Sequence, residues 1–386
     1  MADLRRQTIE IFLSSGEASG DLHGSYLVRA LLAHAPNLHV TCMGGPLLES
    51  AGATVLVDHR SLSVVGLSEV AAHLRLLHRA WRTITSHLVR NPPVALVLID
   101  FPDFNLFLGR MAKRHGIKIF YYISPQVWAW RSGRVRTIKR LVDGMAVILP
   151  FEAEFYEHHH MRVSFVGHPL LDVLTNLPSL DQVKQRYRVS DSELLIGLLP
   201  GSRQSEIRSL LPILLDAAQI VRKSLPNISF IIPIAPSLDS AFFEPQIIYR
   251  DLPVKLVAGD TYGVIRACNL LLTVSGTSTL EAAILGTPMI IINKVSNLSY
   301  QLGRHLIKVK YIGLPNLIAG QRIVPEFVQN DAQAKLIAAA VLDLLEHKER
   351  LEKQRQELAR IRTRLGEPGV ADRVARLVLG NVGFRI

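Results

Sequence analysis

Short, almost uninterrupted apolar runs recur along this chain, each followed by a longer amphipathic segment, and this pattern restricts the fold more than any other feature. The runs "IEIFLSS", "LHVTCMGG", "VALVLID", "KIFYYIS", "GMAVILP" and "VSFVG" make a first series, with helical spacing between them, as in Leu22, Tyr26, Leu27, Ala30 and Leu31. A strand with one wet face alternates apolar and polar residues; a strand apolar throughout is buried on both faces, as in a parallel sheet covered by helices. After the polar stretch "LTNLPSLDQVKQRYRVSDSE" a second series begins: "LLIGLLPGS", "ISFIIPIA", "VKLVAG", "LLLTVSG" and "PMIIINK". At 386 residues the chain exceeds one core. The pattern therefore predicts an α/β protein with two Rossmann-like domains. Residues 1–175 form the first, 176–360 the second, and 361–386 a helical segment that packs on the first domain or on a partner subunit.

Composition narrows the function classes. The chain carries 44 Lys and Arg against 33 Asp and Glu, a net charge of +11, which suits an anionic partner. No apolar run reaches the ~18 residues of a membrane span, and the N-terminus lacks a secretory pattern, so a cytoplasmic location is expected. Two cysteines, Cys42 and Cys268, sit in separate apolar runs and offer neither a disulfide framework nor a metal spacing. The triplet His158–His160 would point in three directions on any regular element, and no metal is expected to bind.

In doubly wound domains ligands bind beyond the carboxyl ends of the strands, and the polar motifs lie just there. "SSGEASGD" follows the first strand; Gly16 permits close backbone approach, and Glu17 and Ser19 suit sugar hydroxyls better than a pyrophosphate. "LIDFPDFN" sets Asp100 at the end of a strand and Asp103 after Pro102, where Asp103 is expected to begin or cap a helix. "LPGSR" offers Gly201, Ser202 and Arg203 as a phosphate cradle, with Ser202 capping the next helix. "SGTSTLE" repeats the design with Ser275, Gly276 and Thr277. Its Glu281 either completes a capping box with Ser278 or accepts hydrogen bonds from ribose hydroxyls. "SPQVWAWR" joins Ser124 and Trp128 to a basic segment. No RNA-binding signature accompanies it, so nucleic acid is not an expected partner. Residues 61–81 form a basic amphipathic segment with Leu67, Val70, Leu74, Leu77 and Trp81 at helical spacing, which covers its own core or lies on a bilayer surface.

Together "GEASGD", "IDFPDFN", "SPQVWAWR", "FVGHP", "LPGSR", "SGTSTLEA" and "LPNLIAG" resemble, in order and spacing, the lipid-A-disaccharide synthase family over essentially the whole chain. The resemblance implies an inverting glycosyltransferase of the two-domain GT-B type, its domains facing a cleft, peripheral to the cytoplasmic face of the inner membrane of a Gram-negative bacterium. It implies transfer from UDP-2,3-diacylglucosamine to 2,3-diacylglucosamine 1-phosphate (lipid X), giving the β-1,6-linked disaccharide and UDP without a metal or organic cofactor. It also implies roles. Asp100 is the base. Gly201, Ser202, Arg203, Ser275, Gly276, Thr277, Glu281 and Asn316 hold UDP. Gly16, Glu17, Ser19, Ser124 and Trp128 face the sugars. Val64, Val65, Leu67, Val70 and Leu74 meet the membrane. The sequence leaves open a homodimer. Two alternatives stand beside this reading: another transferase or epimerase using UDP-N-acetylglucosamine, and a non-catalytic membrane-associated nucleotide-sugar binding protein.

Overall fold

The computed structural model describes residues 9–62, 70–130, 132–190, 193–235, 238–250, 252–295 and 309–384. The chain divides into two units, residues 1–172 with 366–386, and residues 173–365.

The first unit holds a sheet of seven parallel strands: β1 (Ile9–Ser15), β2 (Leu38–Gly44), β3 (Thr54–Asp58), β4 (Ala95–Ile99), β5 (Lys118–Tyr122), β6 (Gly144–Val147) and β7 (Ser164–Phe165). Their order is β3-β2-β1-β4-β5-β6-β7. The chain winds outward from β1 in one direction, returns, and continues outward from β4. Ser15 at the end of β1 therefore lies opposite Ile99 at the end of β4. At such a reversal the loops leave the two neighbouring strands in opposite directions and open a crevice between them. Strand β3, absent from the sequence reading, is an edge strand whose residues are at most half-buried, so it lacks the apolar density that marks the others.

The second unit repeats the plan with β8 (Leu194–Leu199), β9 (Ile228–Ile234), β10 (Val254–Ala258), β11 (Leu270–Val274), β12 (Met289–Asn293) and β13 (Glu326–Val328), in the order β10-β9-β8-β11-β12-β13. Its reversal falls between β8 and β11, where Leu199 lies opposite Thr273. The core on one face of this sheet joins Ile196, Leu198, Phe230, Ile232, Leu272 and Ile290 to the helices Gln204–Ser224 and Ala334–Glu346.

The charged helix Lys348–Arg364 buries one stripe, Leu351, Gln354, Leu358 and Ile361, and exposes most of the rest. Gln354 accepts the Met289 N–H at 2.6 Å, which ties this helix to the start of β12. The helix Val370–Asn381 belongs to the first unit and packs along Ala18–His34. The Asp172 carboxylate caps it by accepting from the N–H groups of Gly369, Val370 and Ala371. His34 and Asp372 join the two helices at 2.5 Å.

Candidate active site

Each unit places its polar loops at its own strand reversal. In the first, β1 runs into Gly16 and Glu17, and β4 runs into Asp100. Close packing is built in: a Cβ on Gly16 would come within 2.3 Å of the Phe101 ring, so the glycine is needed for the loop after β4 to sit against the loop after β1. Asp100 and Phe101 both have left-handed backbone, with φ of 47° and 45°. Aspartate is among the residues that tolerate this region, but Phe101 is bulky and also precedes a proline, so the turn is uncommon at Phe101 on two counts. Asp100 is half-buried. Burial first, then the nearby charge of Glu17, raises its carboxyl to about 6, opposed by the Phe101 N–H. A carboxylate poised there is a competent base near neutral pH. Glu17 and Ser19 are exposed at the start of the helix Ala18–His34.

Asp103 lies at the beginning of the helix Pro102–Arg114, one of the two roles the sequence suggested, but does not cap it. The cap position is Phe101, while Asp103 sits in the first turn with its side chain largely exposed and paired to Arg134 at 2.5 Å. Ser124 and Trp128 are engaged with the protein itself. The Ser124 hydroxyl meets the Tyr156 hydroxyl at 2.6 Å, and the Trp128 indole N–H donates to buried Glu152 at 3.1 Å. Glu152 also accepts from the N–H groups of Ile148 and Leu149, and burial lifts it to about 7.

In the second unit a cavity of about 330 Å³ opens at the carboxyl ends of β8 and β11, lined by Gly201, Ser202, Arg203, Ser275, Gly276, Thr277 and Glu281 among others. Gly201 has φ 117°, and a Cβ there would strike the Glu206 carboxylate at 2.3 Å. Ser202 does not cap the following helix. Arg203 holds the cap position, and Glu206 reaches back to accept from the N–H groups of Ser202 and Arg203 at 3.3 and 3.4 Å. Glu206 also accepts from the Arg203 guanidinium at 3.0 Å, which leaves that side chain tethered but mostly exposed. Glu206 stands three residues after the cap, but with Arg203 rather than Ser, Thr, Asp or Asn at the cap position the sequence carries no capping-box signature that would have pointed to it.

Ser275 donates its hydroxyl to the Ile312 carbonyl, so its part in the cavity wall is to fix the turn. Gly276 and Thr277 are exposed at the start of the helix Thr277–Leu285, whose first turn offers N–H groups to an anion. Ser278 bonds to Thr273 and to the Val274 carbonyl rather than joining Glu281 in a capping box. The Glu281 carboxyl is raised to about 7 by burial, with no compensating hydrogen bond or charge among the described residues. A half-buried carboxylate lining a cavity without such compensation suits a ligand with hydroxyl donors.

Asn316 is not part of this wall. It is fully buried in the helix Leu314–Ala319, where it donates to the Val324 carbonyl and to Glu326 and accepts from the N–H groups of Ile323 and Val324. With its amide oxygen and nitrogen so engaged it organises the loop before β13. Asn316→Ala is expected to cost roughly 2–4 kcal/mol of stability by leaving buried N–H groups unpaired, with little change in UDP affinity of the folded fraction. Thermal melting and calorimetric titration with UDP check it; a folded variant of native stability that has lost UDP would make Asn316 a ligand contact.

Residues 11–378 match the profile of a family described as Lipid-A-disaccharide synthetase. The lipid-A-disaccharide synthase of Geobacter sulfurreducens is 46% identical over 97% of this chain and 98% of its own length. The chain belongs to the lipid-A-disaccharide synthetase family. The lipid-A-disaccharide synthase of Syntrophus aciditrophicus is similar at 45% identity over 96% and 97% of the two chains. Among solved structures, the UDP-GlcNAc 2-epimerase from Neisseria meningitidis bound to UDP-GlcNAc matches with TM-score 0.69 and 13% identity, covering 96% of this chain and 100% of that one. The likeness establishes the shared two-sheet, Rossmann-like fold. As a member of the lipid-A-disaccharide synthetase family the chain is a glycosyltransferase of lipid A biosynthesis.

Proposed function

We propose that this family member transfers the 2,3-diacylglucosaminyl group from its UDP conjugate to the 6-hydroxyl of 2,3-diacylglucosamine 1-phosphate, with inversion, and that Asp100 is the base. The observation that carries the base assignment is the setting of Asp100: the end of β4, at the strand reversal, half-buried beside Glu17 and raised to about 6. The acceptor oxygen forms its bond to C1 as the bond from C1 to the diphosphate breaks, and the hydroxyl proton passes to Asp100. Negative charge then develops on the departing UDP. The first turn of the helix Thr277–Leu285, the Gly201 turn and the Arg203 guanidinium are suited to receive it, and Glu281 to hold the ribose hydroxyls. Incubation with UDP-2,3-diacylglucosamine and lipid X, followed by mass spectrometry, should yield UDP and the disaccharide 1-phosphate in equal amounts. Folded protein that makes neither with short- or long-chain substrates would overturn the reaction.

Both substrates carry acyl chains, so we also propose that the chain works at a membrane surface. No helix among the described residues is long and apolar enough to cross a bilayer. In the helix Val70–Arg90, Leu77 and Trp81 pack with Ala80, Ile84 and Leu88 on the first core, so this half of the apolar stripe covers the protein's own interior. Arg75, Arg79, Arg82 and Arg90 are exposed along it, as suits anionic headgroups. Val64, Val65 and Leu67 lie outside the described residues, as do the side chains of Val70 and Leu74. Leu67→Glu with Val70→Glu should reduce flotation with anionic liposomes; a folded double variant that floats like wild type would exclude this segment as the contact.

A further inference from the structure

The turn that carries Asp100 is held in an uncommon shape by side chains from three other elements. Asn105, fully buried in the helix Pro102–Arg114, donates from its amide to the Asp100 carbonyl at 2.7 Å and shares its N–H groups with the Ile99 carbonyl at 3.2 Å. The buried Tyr121 hydroxyl, on β5, donates to the same Asp100 carbonyl at 2.8 Å. The Phe101 carbonyl accepts the Asn105 backbone N–H at 3.0 Å, so three successive carbonyls of the turn are engaged. On the other side, the Ser14 hydroxyl of β1 donates to the Asn105 amide oxygen at 2.6 Å and fixes which way the amide faces. Ser14 and Tyr121 flank the same residue of β4, Leu98, from its two neighbouring strands. Two adjacent left-handed residues that are not glycine persist only where the surroundings over-determine them.

We propose that Asn105 and Tyr121 are positioning residues for catalysis: by binding the Asp100 carbonyl from two directions they maintain the left-handed turn that sets where the carboxylate leaves the end of β4, and Ser14 orients Asn105 for this task. The proposal rests on the reading of Asp100 as base. Backbone torsion at Asp100 fixes the direction of its Cα–Cβ bond, so a turn that relaxes to extended backbone swings the carboxylate away while every atom of it remains. Misplacement by about 1 Å costs on the order of 10²-fold in rate, so losing one of two anchors should cost less.

The test uses the full-length protein with UDP-2,3-diacylglucosamine and lipid X, comparing wild type with Tyr121→Phe and Ser14→Ala. Tyr121→Phe removes one donor and leaves the Asp100 carbonyl bonded to Asn105. It should lower kcat about tenfold while KM for the UDP-sugar changes little, because the nucleotide-binding residues are in the other unit. The acid limb of the pH profile should also move below about 6, because a relaxed turn lets water reach the carboxylate. The charged neighbour that faces Asp100, Glu17, is unchanged in the variant, and Tyr121 itself is neutral in this range, its hydroxyl pushed well above its ordinary value by burial. Ser14→Ala should shift kcat and the acid limb in the same directions, by less. Folded variants with wild-type kcat and acid limb would reduce these bonds to scaffolding and overturn the proposal. If Tyr121→Phe fails to fold, Ser14→Ala decides by the same two readings. Turnover retained by Asp100→Asn would instead remove the base assignment itself.

Discussion

Asp100→Asn should lower turnover at least about 10³-fold, the upper part of what a positioned general base contributes, while UDP binding stays as in wild type. The substitution preserves shape and removes the proton acceptor, and the candidate UDP contacts belong to the second unit. The same residue sets the expected pH profile. Burial and Glu17 hold its carboxyl at about 6, so kcat/KM should fall as pH drops through 6, and Glu17→Gln should move that limb lower by removing a like charge. The stability sign runs opposite to activity. A carboxyl raised in the folded state binds its proton more tightly than in the unfolded chain, so its charged form costs stability above pH 6, and Asp100→Asn should melt at a higher temperature than wild type at pH 8. Asp103→Asn should leave most activity and cost under about 1 kcal/mol, since it loosens an exposed ion pair with Arg134. Comparable turnover in the two variants would refute the choice of base.

Glu281→Gln should weaken UDP binding about 10- to 100-fold at pH 8, the worth of hydrogen bonds to a charged acceptor. The free carboxyl is raised to about 7 by burial, and ribose hydroxyls that donate to it would favour its charged form. Binding should therefore release protons near neutral pH, and affinity should decline as pH falls through 7. Because the terminal phosphate of UDP also titrates, the reading is the difference between wild type and Glu281→Gln, taken by calorimetry in buffers of different ionisation enthalpy. Identical proton release in the two proteins, or unchanged affinity in the variant, would remove Glu281 from the nucleotide site.

Strands were legible in the sequence where burial makes the same demand of both faces. Both faces of β1, β4, β8 and β11 are covered, so each reads as a continuous apolar run and its polar successor marks a site loop. The partly exposed edge strands β3 and β13 carry weaker signals and escaped notice. Local chemistry was legible when it depended on neighbours in sequence and misleading when several neighbours competed. Ser202 is a good capping residue, but the helix begins one residue later, with Arg203 at the cap position and Glu206 reaching back to the N–H groups of Ser202 and Arg203. Asp103 is also a good capping residue, but Pro102 places it inside the first turn. Asn316 stands in a motif of the right family, yet its amide is consumed by the loop before β13.

The sequence by itself determined that this chain forms two doubly wound α/β units and which loops bear polar groups, because helix and strand periods and the residues at strand ends are local properties. It also determined the family, through motifs whose order survives without coordinates. Only the tertiary structure decided which carboxylates stand apart from hydrogen-bond partners and which are tied into the scaffold. Strand order brings the end of β1 against the end of β4, so burial first and then Glu17 raise Asp100; pairing across 91 residues puts Ser14 on Asn105; and β5 delivers Tyr121 to the Asp100 carbonyl. Those groups are distant in sequence, and their proton affinities and backbone torsions depend on burial and on neighbours that exist only once the sheet has closed.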